Sequence, residues 1–566
     1  MSENYTRQIF SGFHTKAILL LLLLACNSEN KKSEGTSEAF LQPIPPVGAD
    51  FFLDITKSSG IDFQHSIGDD HLTNIIESVG GGAAFLDFDQ DGWMDLYMVS
   101  GNFHERLSDQ AFKPEKVHTN HLYRNKGDGT FEDVTKRAKV GDTGYGMGVT
   151  VGDYNNDGFP DLYISNHGPN VLYKNNGNGT FSDVSKKAGV AGDESSVGAV
   201  WVDYDNDGLL DLYVGNYLHF DPNYKFYYAP DGFPGPEAFD GEADRLYKNL
   251  GNDKFEDVTE AMGVFNPNGR AMGVGTADFN NDGFMDIYVA NDHMVNFLYR
   301  NEGGKMFKDV GIQTGTAFNQ SGEGTISMAV DFADFNHDGL LDLWVSDDAY
   351  CSLYKNIGND VFSEVSYQSG IAVRAASHVG WSSCLVDYDN DSDLDIIKIN
   401  GELKHLYGQE DQIFENDGKE TFTEVSTERG EYFQKELVGR GACFGDYDND
   451  GDLDIYIMNL NDFGVLLRND HGNDKPWIKI NLIGSKSNRD AIGAKVKVTT
   501  GDITQFSFKK SATGYLSQND PRLHFGLNDA TVVDRIEVIW PAGGMSVLEN
   551  VQVNQVLTIK EGDNVK

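Results

Sequence analysis

Aspartates recur in this sequence at a spacing that can cage a hard cation. A nine-residue pattern with acid or amide side chains at positions 1, 3, 5 and 9 occurs seven times. Its first three copies place Asp87, Asp89, Asp91 and Asp95, then Asp153, Asn155, Asp157 and Asp161, then Asp203, Asp205, Asp207 and Asp211. Asp278, Asn280, Asp282 and Asp286 follow, then Asp334, Asn336, Asp338 and Asp342. Asp387, Asp389, Asp391 and Asp395 form the sixth copy, and Asp446, Asp448, Asp450 and Asp454 the seventh. Calcium takes six to eight oxygens, and a loop with acids at positions 1, 3 and 5 and a backbone carbonyl at 7 can wrap it if position 6 turns sharply. Six copies have Gly at position 6, and Ser392 takes its place in the sixth. There is no glutamate at position 12, so the Asp at 9 supplies the closing carboxylate. Asp, Asn and Gly also favour plain turns. Seven copies in register, each gathering carboxylates that repel one another without a cation, point instead to Ca2+ as a structural cofactor. Magnesium, with its smaller octahedral shell and retained waters, fits less well.

The elements that hold these loops repeat with them. Before each loop stands a strand rich in small residues, such as Gly146-Met147-Gly148-Val149, and after it an apolar strand, such as Asp95-Leu96-Tyr97-Met98-Val99. A third element, Leu122-Tyr123-Arg124-Asn125 through Phe131-Glu132-Asp133-Val134-Thr135, carries an Asn and glycines that turn one strand into the next. Copies begin 50 to 75 residues apart, the length of a four-stranded propeller blade with variable loops. The Phe-x-Asp-Val-Thr piece is missing after the seventh loop, and a matching Phe52-Leu53-Asp54-Ile55-Thr56 stands alone before the first. That split predicts a ring in which the N-terminal strand completes the last blade, removing an exposed sheet edge. The reading is all-β: a seven-bladed β-propeller over residues 51–472, followed by a small β-sandwich over 473–562. Period-two strands such as Trp477-Ile478-Lys479-Ile480-Asn481-Leu482 support the second part.

Asp loops followed by Leu-Tyr-x-Asn-x-Gly resemble the FG-GAP/VCBS repeats of integrin α-type propellers. Asn488-Arg489-Asp490-Ala491-Ile492-Gly493-Ala494, Gly514-Tyr515-Leu516-Ser517-Gln518, His524-Phe525-Gly526-Leu527 and Trp540-Pro541-Ala542-Gly543 resemble the ASPIC/UnbV domain. The whole is similar to the cartilage acidic protein family, and the resemblance implies a calcium-binding extracellular protein with no agreed biochemical activity. Ser517, Gln518 and His524 have no nucleophile–base partner at a recognisable spacing, so packing and turn roles are expected of them.

The formal net charge is −43, which disfavours nucleic acid as a partner because phosphate would be repelled. Residues 1–26 read as an export signal: a basic start, a short apolar stretch at Ala17–Leu24, and Leu22-Leu23-Leu24-Ala25-Cys26, which resembles a bacterial lipobox. Cys26 is the expected lipidation site, and residues 27–50, polar and then Pro-rich, the tether. Lipid anchoring outside the cytoplasm follows, in or facing a bacterial outer membrane. The other three cysteines, Cys351, Cys384 and Cys443, imply no disulfide framework.

Two stretches exceed a blade's needs, Gly101 to Asn120 and Tyr217 to Asp244. The second holds Tyr217, Tyr224, Phe226, Tyr227, Tyr228 and Phe233, aromatics that can stack on sugar rings, anchor a protein, or fold down as a lid. Scattered histidines, among them His65, His71, His104 and His121, show no zinc spacing. The functional expectation is a calcium-binding scaffold for a protein or glycan ligand. The alternatives are a calcium-dependent polysaccharide lyase or hydrolase working at the propeller's axial face, and an accessory subunit of an outer-membrane uptake complex.

Overall fold

The structure, a computed structural model, describes residues 51–113, 116–224, 232–348 and 350–562. The export signal, Cys26, the tether, Phe226, Tyr227 and Tyr228 lie outside those residues. Among the described residues no helix is long and apolar enough to cross a membrane.

Among the described residues seven four-stranded antiparallel units make up the propeller, one per Asp loop. In the second, Tyr145–Gly152 pairs with Asp161–His167, then Val171–Asn175, then Phe181–Asp183. The Asp loop always joins the first, innermost strand to the second. The fourth and fifth units also join, where the end of the fourth unit's second strand pairs with the fifth unit's first, Asp292 against Ile326. Innermost strands lie side by side around the ring, and the seventh, Gly439–Gly445, lies against the first, Ala83–Leu86. Small residues are required there. A Cβ on Gly273 would stand 1.9 Å from the Met328 carbonyl oxygen of the next blade.

The N-terminal strand closes the ring as the split repeat predicts: Phe52–Asp54 pairs with Val465–Asn469 of the seventh blade. Thr56 there does what its equivalents do elsewhere. Its Oγ1 accepts the Leu466 N–H at 2.9 Å, as Thr135 accepts that of Leu122 and Ser185 that of Leu172.

The Asn of each Leu-Tyr-x-Asn element ties neighbouring blades together. Its Nδ2 donates to the position-2 carbonyl of the preceding blade's Asp loop in all seven units, over 2.7–3.2 Å. Asn125 to Tyr447 joins blade 1 to blade 7. The sequence reading gave this Asn only the turn, which it also makes: Asn125 Oδ1 accepts the Gly127 N–H at 2.9 Å.

The C-terminal strands form two packed sheets, Leu523–Gly526, Trp477–Ile483 and Gln555–Lys560 in one, and Ile503–Phe508, Lys495–Thr500, Val532–Ile539 and Met545–Gln552 in the other. Between them lies a core that includes Ile480, Val496, Phe525, Ile536 and Trp540. This part is not merely appended to the propeller. A segment around Ser511–Asp520 enters the ring and hydrogen-bonds innermost strands of several blades. Gln518 N–H donates to Ala83 O at 3.0 Å, Val149 N–H to Leu516 O at 3.0 Å, and Asp520 N–H to Phe444 O at 2.9 Å. Gly514 and Val330 exchange two such bonds at 3.2 Å, and Ser511 Oγ accepts the Trp201 N–H at 2.9 Å. Ser517 and Gln518 therefore serve as hydrogen-bond partners of blade strands, with Ser517 Oγ accepting the Ala83 N–H at 3.2 Å. From the other end of the axis, Tyr217, Phe233 and Phe239 join Tyr515 and Leu516 in one buried cluster. Cys351, Cys384 and Cys443 are free and buried.

Candidate metal centres and the domain that covers them

Each Asp loop is first a set of backbone hydrogen bonds. The position-1 carboxylate accepts the N–H of position 5 at 2.9–3.1 Å in all seven copies. It also accepts the N–H of position 6 at 2.6–3.1 Å. Position 5 accepts the N–H of position 7 in every copy. Oδ1 of position 9 accepts the N–H of the staple Asn at 2.7–2.9 Å. Position 6 is left-handed throughout, from φ +81° at Gly339 to +109° at Gly451, with Ser392 at +82°.

Position 4, to which the sequence reading gave no role, is left-handed too, with φ between 56° and 60° in all seven copies. In five copies its side chain reaches the position-6 carbonyl of the next blade: Gln90 to Gly158, Asn156 to Gly208 at 2.9 Å, Asn206 to Gly283 at 3.0 Å, Asn390 to Gly451 at 3.2 Å and Asn449 to Gly92 at 3.0 Å. The signal was present, since five of the seven position-4 residues are Asn, a residue that tolerates this backbone.

Four copies have Asp at position 3, and in these the structure converges three carboxylates. Ligand oxygens of Asp87, Asp89 and Asp95 lie within 4.8 Å of one another, as do those of Asp203, Asp205 and Asp211, of Asp387, Asp389 and Asp395, and of Asp446, Asp448 and Asp454. Buried oxygens without a hydrogen-bond partner sit in the same four places: Oδ1 of Asp89 and Asp205, Oδ2 of Asp395, and both oxygens of Asp448. Such atoms are costly unless something pairs with them. A divalent, oxygen-seeking ion is the partner this donor set fits. In the other three copies the position-3 amide turns inward: Asn155 Nδ2 donates to Asp161, Asn280 to Asp282 and Asn336 to Asp338. Position 5 is the most open, with Asp91, Asp157, Asp207, Asp282 and Asp338 exposed.

Crowding is visible in the acidities. Burial, then the neighbouring carboxylates, pushes Asp87 and Asp203 up to about 6, while burial and Asp490 push Asp153 up to about 7. Burial takes Asp342 to about 8 and holds Asp95, Asp395, Asp448 and Asp454 well above the usual carboxylate range. These groups resist carrying their charges together unless a cation shares the site.

The C-terminal sandwich covers this face. Residues 473–562 hold eleven Lys and Arg against nine Asp and Glu, in a chain with 45 against 88, so a nearly neutral body docks on an acidic rim. Lys479 Nζ, 1% exposed, pairs with fully buried Asp446, and Lys495 Nζ sits 2.5 Å from Asp278. Asp490 accepts the Asp153 N–H at 2.7 Å. His524 Nε2 lies 2.7 Å from Asn390 Oδ1 of the sixth loop.

Of the aromatic candidates, Tyr217 (1% exposed) and Phe233 (6%) are buried and face inward. Tyr224 is exposed and packs on Phe239, ring centroids 5.4 Å apart. The lid reading therefore holds for the first two, because a ring that fills the axial core is not free to stack on a ligand.

Family models match both parts of the chain. A model of FG-GAP-like repeats matches residues 87–164, 153–214, 238–289, 278–345 and 334–397, and one described as ASPIC and UnbV matches 484–566. Cartilage acidic protein 1 of Xenopus tropicalis is 27% identical over 354 residues, 59% of this chain and 52% of its own. The Homo sapiens protein of that name is 26% identical over 352 residues, 58% of this chain and 50% of its own. The chain spans about half the length of the curated relatives it matches. Among solved structures, an Agrocybe aegerita lectin described for recognition of non-reducing terminal N-acetylglucosamine aligns over 67% of this chain and 86% of its own, 16% identical, TM-score 0.36. BBS1N, solved in complex with ARL6DN, aligns over 74% and 96%, 8% identical, TM-score 0.37.

Proposed function

From the premise that this chain belongs to the family of FG-GAP-like repeat proteins and carries an ASPIC and UnbV domain, we propose that it is a calcium-stabilised binding scaffold, held outside the cytoplasm by a lipid on Cys26, that presents a rigid ring to a protein or glycan ligand. The observation that carries the calcium part is the coincidence of converging carboxylates with unpartnered buried oxygens in the same four loops. Asp87, Asp89 and Asp95 and their equivalents in the third, sixth and seventh loops hold the ion. When bound, the ion supplies charge neutralisation and fixes the loop. It does no chemistry on a substrate.

The scaffold part is supported by what occupies the ring. Tyr515 and Leu516 fill the axis with the chain's own side chains, and the sandwich covers the Asp-loop face. That leaves the insertions on the opposite face as the surface for a partner, where loops on a rigid frame carry function. The test is metal content together with thermal melting, in calcium and after chelation. Bound calcium and a melting temperature that falls on chelation are expected. A protein that binds no calcium and melts identically in both conditions overturns the reading.

A further inference from the structure

The face opposite the Asp loops contains a cavity of about 620 Å3 between the first three blades. It is in the range of small-molecule sites, about 300–1,000 Å3, and far larger than an ion needs. Its walls include Phe103, His104 and Arg106 of the first insertion, His219, Phe220 and Asp221 of the second, and the end of the blade-2 strand Asp161–His167 between them.

Three histidines from separate segments meet here, and the fold holds two of them by one nitrogen. His219 Nδ1 lies 2.6 Å from Glu242 Oε1. Glu242 is itself buried, with its other oxygen accepting the Ser195 N–H at 2.6 Å. His167 Nδ1 lies 2.7 Å from Ser195 Oγ. The third, His104, stands edge to face with His167, ring centroids 5.4 Å apart. The two anchored rings have no hydrogen bond at Nε2 among the described residues, so each offers one oriented polar atom to a ligand. Burial, then the nearby His104 and Arg106, lowers His167 to about 4, which keeps this ring neutral at physiological pH.

The rest of the lining narrows the ligand. Among the described lining residues Asp193, Asp221 and Glu242 outnumber the one cation, Arg106, on a chain of net charge −43, so an anion is repelled. No three metal-ligating atoms of this cavity lie within 4.8 Å of one another; among the described residues such groups occur only in the Asp loops. Phe220 lines the cavity with an aromatic ring and is braced by Phe239, centroids 5.5 Å apart. Carboxylates that accept from hydroxyls, imidazoles that donate or accept, and a braced ring suit a molecule with a hydroxylated edge and a C–H face.

We propose that this cavity is the ligand site of the scaffold and that it takes a neutral carbohydrate unit, stacked on Phe220 with its hydroxyls on Asp193, Asp221 and the histidines. The proposal rests on the scaffold reading above, and the experiment separates the two. Calcium-equilibrated protein is titrated calorimetrically with methyl β-glucoside, cellobiose, maltose, lactose and N-acetylated chitobiose, and with glucuronate as the acidic control. The melting shift on chelation is recorded on the same sample. At least one neutral sugar is expected to bind and glucuronate is not. Asp193→Asn and Asp221→Asn, both at exposed positions, weaken that binding about tenfold or more, the loss of roughly 1.4 kcal/mol, and leave the melting temperature unchanged. Phe220→Ala does the same to binding. A calcium-dependent melting shift with no sugar bound, with glucuronate bound as well as the neutral sugars, or with binding indifferent to all three variants overturns the site and leaves the scaffold standing. Loss of the calcium shift overturns the scaffold reading itself.

Discussion

The first and seventh Asp loops share a pattern and its hydrogen bonds, and differ in what closes over them. In the first, Asp91 and Gly92 are exposed and Arg124 leans in from the third strand, 2.5 Å from Asp89 and also paired with Asp91. In the seventh, all of Asp446, Asp448, Asp450, Asp452 and Asp454 are buried beneath Trp477 and Lys479 of the sandwich. An open loop can let water and a flexible guanidinium share its charge. A covered one cannot, and both oxygens of Asp448 are left without a partner. The same nine residues thus tie a blade at the rim and join two domains at the covered edge. What distinguishes the roles is the residues that close over the loop.

Chelation tests the four proposed ion sites at once and carries the largest expected effect. Asp87, Asp153, Asp203 and Asp342 have folded-state pKa values of about 6, 7, 6 and 8, raised above the unfolded range near 4. The native state then holds protons that the unfolded chain releases, so stability is fully present below about pH 4 as regards these groups and is lost as pH rises through about 6 to 8. In chelator, the denaturation midpoint is expected to fall between pH 5 and pH 8; saturating calcium should flatten or reverse that slope. A metal-free slope of the opposite sign breaks the account of crowded carboxylates.

Next in size is Lys479→Met. Removing one partner of a buried ion pair costs about 3–5 kcal/mol, because Asp446 is left at the domain boundary with its charge uncompensated by an ammonium. Lys248→Met at the third loop, where the lysine itself is 27% exposed beside Asp205 and Asp207, should cost only about 0–1 kcal/mol. Chemical denaturation of the two variants compares covered with open directly, and equal losses would erase the distinction.

Glycine at position 6 sharpens it further. A Cβ at Gly339 meets nothing within 4 Å, so Gly339→Ala carries only the left-handed backbone cost of about 1–2 kcal/mol. A Cβ at Gly451 would lie 1.8 Å from Trp477 Nε1, so Gly451→Ala adds overpacking, typically about 1–3 kcal/mol more. Comparable melting temperatures for the two variants would mean that the sandwich yields at this contact.

The contrast also shows what can be read in a sequence. The Asp pattern, the blade period and the strand that closes the ring repeat locally, at spacings the backbone itself imposes, so Phe52–Thr56 was identifiable as a displaced piece of blade seven. The bonds of Gln518 to Ala83 and of Lys479 to Asp446 join residues that no periodicity relates. Tyr217 looked like a ligand platform because composition marks aromatic content and not direction, and the fold turns it into the axial core. The histidine cavity was hidden for the same reason: His104, His167 and His219 come from three blades, with no motif spacing to announce them.

The smallest expected effect falls on the residue that departs from the pattern. Ser392 holds a left-handed backbone at φ +82° that costs an L side chain about 1–2 kcal/mol. Its hydroxyl donates to Gly526 O of the sandwich at 3.2 Å, a bond worth about 0.5–1.5 kcal/mol. Ser392→Gly removes both terms and adds the entropy of a freer unfolded chain, about 0.4–1 kcal/mol. Gly526 O keeps the Gln505 amide at 2.6 Å, so no acceptor is orphaned. The terms offset to within about 1 kcal/mol, and the melting temperature should barely move. A clear gain would show that backbone strain dominates at the covered edge. A loss beyond about 2 kcal/mol would make this serine a clamp between sixth blade and sandwich, a role that glycine in the other six loops cannot play.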